Sequence, residues 1–165
     1  MESSSYRYFH ESSAMTESPH AKRRTGSMNE IYESSSSNKA RLHQLGVRLQ
    51  LFQDVNFSGR RIVFENRGVA VSDIRAFDFN DRLSSFRMFN ANNPSQLTLV
   101  LWQHVGYQGA RRVFYGQRAV SSLPSPFNDQ MSSFVFVPAV LSLAQINQIQ
   151  STRNTAGLRI VEISQ

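Results

Sequence analysis

The chain has no cysteine, which excludes a disulfide framework, a thiolate metal site and a cysteine nucleophile. It has no run of 18 apolar residues, so it encodes no helix of the kind that spans a bilayer. Histidine is scarce and badly placed for catalysis. His10, His20 and His43 precede residue 47, and His104 stands alone between Trp102 and Tyr107. No feature selects a partner that would make His104 part of a Ser-His-Asp arrangement. A phosphate-cradling loop, a Cys/His cluster and a nucleotide fingerprint are all missing. These absences point to a protein that is not an enzyme. No apolar stretch follows the first charges, so a Sec-type signal peptide is not expected. The expected location is the cytoplasm, or outside the cell by lysis or another route.

What is present falls into three regions. Residues 1–46 are rich in serine, glutamate and basic residues, including the run Ser34-Ser35-Ser36-Ser37. They hold few aliphatics and read as an arm that is disordered or folds only on contact. Two readings of Tyr6, Tyr8 and Phe9 stay open: a chance cluster in a solvated arm, or an anchor that docks on a neighbouring subunit. Residues 47–138 form the predicted domain, and 139–165 a C-terminal extension. The net charge is +6. Every basic residue of the domain is arginine; Lys22 and Lys39 lie in the arm.

The domain repeats itself. Residues 79–86 read Phe-Asn-Asp-Arg-Leu-Ser-Ser-Phe and residues 127–134 read Phe-Asn-Asp-Gln-Met-Ser-Ser-Phe. Upstream, Phe52, Phe57, Gly59, Arg61 and Phe64 are matched by Trp102, Tyr107, Gly109, Arg111 and Phe114. The loop that follows is two residues shorter in the second copy, and loops are where length differences are tolerated. An aromatic, four residues, a second aromatic, one residue and a glycine describe a strand turning a tight corner. Gly59 and Gly109 are expected to supply a positive φ there, with the paired aromatics packed over the corner.

Alternation supports strands. Val47, Leu49 and Leu51 point one way, and Leu97, Leu99 and Leu101 repeat the pattern. Ile62 and Phe64 alternate with Arg61, Val63 and Glu65, and Phe114 sits between Val113 and Tyr115. Phe86 and Met88 close one copy, and Phe134 and Phe136 the other. Asn92-Asn93-Pro94-Ser95 breaks the chain between copies. Each copy, about 47–91 and 97–138, is therefore read as four antiparallel strands, and the whole as an all-β sandwich of two sheets with Greek-key connections. Beyond Pro138, the spacing of Val140, Leu143, Ile146 and Ile149 predicts a short amphipathic helix. Leu158–Ile163 reads as a terminal strand with no evident partner in the sandwich, expected to pair with the arm or with another chain.

These motifs resemble those of the microbial βγ-crystallin family. Phe52-x4-Phe57-x-Gly59 and Trp102-x4-Tyr107-x-Gly109 are similar to its Greek-key signature. Residues 80–85 and 128–133 are similar to its calcium motif, an Asn/Asp pair, two free positions, then Ser/Thr-Ser. The resemblance covers about residues 47–137 and implies two Ca²⁺ sites. It implies hydroxyl ligands from Ser84 and Ser132, carbonyl ligands from Arg82 and Gln130, and carboxylates of Asp81 and Asp129 that each reach across to the other site. It implies a further carbonyl from the turn after the second strand, near Glu65 and Tyr115. Asn80, Asn128, Ser85 and Ser133 are expected to brace the loops. Oxygen ligands of this kind suit a hard cation. With one carboxylate per site the affinity is expected to be micromolar or weaker, and tighter at the site bearing Gln130 than at the one bearing Arg82. The competing reading is that Asx and Ser residues merely form turns.

The expected function is a calcium-stabilised structural or protective module acting in stress, dormancy or assembly. One alternative is a self-assembling coat or filament subunit linked through its arms. Another is a polyanion-binding module using Arg60, Arg61, Arg111 and Arg112, whose guanidinium groups suit phosphate or sulfate. Nucleic acid is the less favoured partner, because it calls for a wider basic stripe with exposed aromatics.

Overall fold

A computed structural model describes residues 46–163. The aromatic cluster Tyr6, Tyr8 and Phe9 and the serine run lie outside the described residues. Among the described residues the elements follow in this order: β1 (Val47–Asp54), β2 (Ser58–Glu65), β3 (Val69–Val71), β4 (Ser85–Asn90), β5 (Thr98–His104), β6 (Gln108–Tyr115), β7 (Arg118–Val120), β8 (Ser133–Val137), α1 (Leu143–Thr152) and β9 (Val161–Ile163).

The strands form two sheets, ordered β2-β1-β4-β7 and β6-β5-β8-β3-β9. Each repeat contributes four strands but keeps only three in its own sheet. The third strand of each crosses over: β3 pairs with β8 of the second repeat, and β7 pairs with β4 of the first. This is a double Greek key, an all-β sandwich whose halves are interlocked. The predicted alternation explains why the sheets face each other. Leu49, Leu51, Leu99 and Leu101 are fully buried, with Phe86, Phe134 and Phe136 between them. Aromatic edges join the halves across the core: Phe64 meets Phe134 at 5.3 Å and Phe86 meets Phe114 at 4.8 Å between ring centroids. Such pairs contribute about 0.5–1.5 kcal/mol each beyond their burial.

The second sheet is buried on both faces. Ala70, Val100, Trp102, Val135 and Val137 point away from the first core and pack under Leu141, Ile146 and Ile149, with Leu158 and Ile160 at the margin. The C-terminal extension is thus part of the fold. Ser142 caps α1 by accepting from Gln145 N, and Gln145 returns its side chain to the Ser142 amide. The helix begins after this box, so Val140 lies outside it and is 52% exposed, while Leu143 is 62% exposed. The predicted four-residue stripe is reduced to Ile146 and Ile149. The expectation that the last strand lacks a partner is corrected: β9 lies parallel to β3, Val69 opposite Val161 and Val71 opposite Ile163. Parallel partners need a long connection, and here residues 72–160 lie between them, with α1 carrying the chain from β8 past β3 to its free edge. Gly68 permits the approach, since a Cβ there would stand 2.6 Å from Ile160 Cγ2.

A short 3-10 turn over Ile74–Phe77 follows β3. Asp73 caps it by accepting from Arg75 N at 2.9 Å. The Arg75 guanidinium beside it holds the Asp73 carboxyl below its ordinary range.

Candidate metal centre

The site is assembled from two corners and two motif loops. Each corner follows the first strand of a repeat. Phe57 and Tyr107 adopt positive φ (62° and 61°), and so do Gly59 and Gly109 (71° and 82°). A bulky residue in the left-handed region is sparsely populated and must be held there. The motif serines do the holding. The Ser85 hydroxyl accepts from Phe57 N at 3.0 Å and donates to the Asp54 carbonyl. The Ser133 hydroxyl accepts from Tyr107 N at 3.0 Å and donates to the His104 carbonyl at 2.6 Å. The aromatics stack edge to face, Phe52 on Phe57 at 5.7 Å and Trp102 on Tyr107 at 5.4 Å. His104 closes its corner over Gly109: a Cβ on that glycine would meet the His104 ring at 2.6 Å.

Each motif loop is pinned by its apolar positions. Phe79, Leu83, Phe127 and Met131 are buried, which leaves the polar residues between them at the surface. The loops lie side by side across the pseudo-twofold axis. Asp81 N donates to the Met131 carbonyl at 3.3 Å, and Asp129 N to the Leu83 carbonyl at 3.1 Å. Both aspartates have φ of 54°. Within each loop the asparagine orients the neighbouring carboxylate. Asn80 Nδ2 donates to Asp81 Oδ2 at 2.6 Å, and Asn128 Nδ2 to Asp129 Oδ2 at 2.9 Å. Asn80 Oδ1 and Asn128 Oδ1 are buried and accept no hydrogen bond.

One predicted cross-motif pair comes together directly. The Ser84 hydroxyl donates to Asp129 Oδ1 at 3.0 Å. Among the described residues no matching bond joins Ser132 to Asp81. Ser84 and Ser132 are held by their amides, which donate to the Phe52 and Trp102 carbonyls at 3.1 and 3.0 Å. Arg82 and Gln130 are exposed, and Gln130 Oε1 accepts from Gln103 Nε2 at 2.8 Å.

Glu65 and Tyr115 do not join this group. The register sets Arg48 opposite Glu65 and Phe52 opposite Ser85, and likewise Thr98 opposite Tyr115 and Trp102 opposite Ser133. Four residues of strand, about 13 Å, therefore separate them from the motif serines. Glu65 instead pairs with Arg48 at 3.0 Å, and the Tyr115 hydroxyl donates to the Leu141 carbonyl. The backbone that does adjoin the motifs is that of the corners, residues 53–57 and 103–107.

The four arginines proposed for anions form no common patch. Arg60 donates to the Phe77 and Asp78 carbonyls and to the Asp78 carboxylate. Arg111 donates to Gln150 Oε1 at 2.7 Å and to Asn147 Oδ1. Arg112 lies 5.7 Å from the centre of the Phe127 ring. Arg61 is exposed on the outer face of the first sheet, opposite Phe52. The two pairs stand on β2 and β6, in different sheets.

Sequence reasoning assigned Asn80, Asn128, Ser85 and Ser133 to loop bracing, and missed that the two serines staple the corners. It also missed Gln150, which accepts from the Trp102 indole at 3.2 Å and donates to the Gly109 carbonyl. The symmetric Ser-Ser pairs were the available signal: two hydroxyls in sequence with different exposures of need, one for the loop and one for the corner.

Two interlocked Greek keys carry paired Asn-Asp-x-x-Ser-Ser loops. The fold is that of the βγ-crystallins. The chain is similar to a βγ-crystallin domain from Clostridium beijerinckii (16% identity, TM-score 0.44, 55% of this chain and 98% of that one). It is similar to one from Flavobacterium johnsoniae (20% identity, TM-score 0.45, 57% and 98%) and to the βγ-crystallin of Ciona intestinalis (24% identity, TM-score 0.42, 53% and 95%). No family model and no curated protein matches the chain.

Proposed function

We propose that this domain is a calcium-stabilised structural module in which two ions would clip the motif loops of its two halves together. The observation that carries the reading is the meeting of Ser84 Oγ and Asp129 Oδ1 at 3.0 Å, from opposite repeats. Two oxygens at this separation suit neighbouring ligands of a cation that takes oxygen at about 2.3–2.6 Å. The donor set fits a hard cation. It contains hydroxyls, carboxylates and backbone carbonyls, and among the described residues no three His, Cys, Asp or Glu side chains converge as a transition-metal site would want.

One site would draw on Ser84, the Arg82 carbonyl and Asp129; the other on Ser132, the Gln130 carbonyl and Asp81. Carbonyls of the corners would replace those of Glu65 and Tyr115. When bound, the ion would supply electrostatic cross-linking, not reaction chemistry. The chain's own part is to aim the oxygens: asparagine side chains orient the carboxylates, and buried Leu83 and Met131 fix the loops. One carboxylate per site keeps the affinity modest.

The C-terminal extension is folded onto its own second sheet, which argues against its use as a link between copies in an assembled coat or filament. Isothermal titration with calcium tests the main reading. The unaltered protein should bind two ions, and Asp129→Ala and Asp81→Ala should each remove or weaken one event. Undiminished binding in both variants would remove the assignment.

A further inference from the structure

We infer that residues 141–163 act as a positioning strap for one of the two proposed sites, the one holding Ser132, and so make the pair unequal. The inference rests on the calcium reading and extends it to a segment outside the repeat.

The two corners are matched in their backbone bonds. Asn56 N donates to the Ser121 carbonyl at 2.7 Å, and Gly106 N to the Ser72 carbonyl at 2.7 Å. Phe57 N and Tyr107 N both donate to a motif serine at 3.0 Å. What differs is the cover. The first corner is partly open: Phe57 is half-buried, and the Arg87 guanidinium lies 3.9 Å from the centre of its ring. Beside it, the Val55 carbonyl takes the Ser58 hydroxyl at 2.7 Å.

At the second corner the strap covers the aromatic, while Val105 stays nearly as exposed as Val55. Tyr107 is fully buried, and its hydroxyl donates to Glu162 Oε1 at 3.4 Å. Thr155 holds the other Glu162 oxygen at 2.9 Å. Gln150 accepts from the Trp102 indole, donates to the Gly109 carbonyl, and offers its own carbonyl to Gln108 Nε2 at 2.6 Å. Gln150 and Glu162 reach the Ser132–Ser133 pair through Trp102 and Tyr107. The Trp102 carbonyl receives Ser132 N, and the Ser133 hydroxyl receives Tyr107 N.

A ligand pays for ordering whatever it fixes, so a corner already fixed binds at lower cost. The Ser84 site also starts closed, since an ion there must displace the Ser84–Asp129 bond. The strap therefore favours the Ser132 site on grounds separate from the charge of Arg82.

The experiment uses the full chain and two variants at the strap, Gln150→Ala and Glu162→Gln. Calcium is titrated while the amide resonances of Ser84 and Ser132 are followed separately. In the unaltered protein Ser132 should saturate at about tenfold lower calcium, and in each variant its midpoint should rise about three- to tenfold with that of Ser84 unmoved. Hydrogen exchange without calcium supplies the second readout. The Gly106 and Tyr107 amides should exchange faster in both variants, and those of Asn56 and Phe57 should not change. Equal midpoints in the unaltered protein, a common shift of both, or unchanged exchange would overturn the strap alone. Silence of both amides towards calcium would overturn the calcium reading and the strap with it.

Discussion

Single residues in this fold act through backbone that few side chains tolerate. Gly109 combines a φ of 82° with a contact that a Cβ would make at 2.6 Å to the His104 ring. Gly109→Ala should cost about 1–3 kcal/mol, measured as a fall in urea midpoint. Adding His104→Ala should recover the steric part and leave the backbone part, because the dihedral strain does not depend on the imidazole. An unchanged midpoint in the single variant would refute the tight corner. Tyr107 offers a test by pH. Burial, with the Glu162 carboxylate beside it, pushes its phenol well above the ordinary value of 10.0. The unfolded chain therefore releases this proton first. The stability contributed by the protonated phenol is fully present below pH 10 and is lost as pH rises above it, by up to about 1.4 kcal/mol per pH unit. Tyr107→Phe should flatten that alkaline decline relative to the unaltered protein. Parallel declines in both would show that the phenol is not protected.

At the scale of elements, α1 is held by two side chains and a cap. Ile146→Ala should cost about 2–5 kcal/mol, because Ile146 is fully buried against Trp102 and its neighbours. Leu143→Ala, at a position 62% exposed, should change stability by less than about 0.5 kcal/mol. Thermal melts of the two variants check the pair, and equal losses would contradict the placement of the helix. The same element shows what sequence could and could not reveal. The first strand was legible because Leu49 and Leu51 alternate with Arg48 and Gln50 over one buried face, and the second copy because Leu97, Leu99 and Leu101 repeat that spacing. The spacing of Val140, Leu143, Ile146 and Ile149 was misleading at its start, since Val140 precedes the helix. Ser142 and Gln145, three apart, were the better marker of where it begins. The parallel seat of β9 was not legible, because nothing in Leu158–Ile163 names the edge of β3 as its partner. At the candidate site, the repeated Asp and Ser were readable, and their cross-motif meeting is seen at Ser84 and Asp129. The extra carbonyl was misassigned to Glu65 and Tyr115, because which end of a strand a turn occupies follows from register and not from spacing.

At the scale of the molecule, the exchange of third strands decides how the protein unfolds. β3 has its neighbours β8 and β9 in the second sheet, and β7 has β4 in the first. A half cut at residues 93–94 would lose a strand from each sheet and part Phe64 from Phe134 and Phe86 from Phe114. The duplicated sequence suggests two folding units, but the interlocked strands leave only one. Calorimetry should therefore show a single transition, with calorimetric and van't Hoff enthalpies equal. Residues 46–93 and 94–165, prepared separately, should show no cooperative melt, and mixing them should restore one. Calcium at 100-fold over its dissociation constant should raise the stability of the whole by about 2.7 kcal/mol per site, and without dividing the transition, because each proposed site takes ligands from both halves. Two separate transitions, or a melt retained by either fragment alone, would show that the repeats are independent units and that an ion between them has little to hold together.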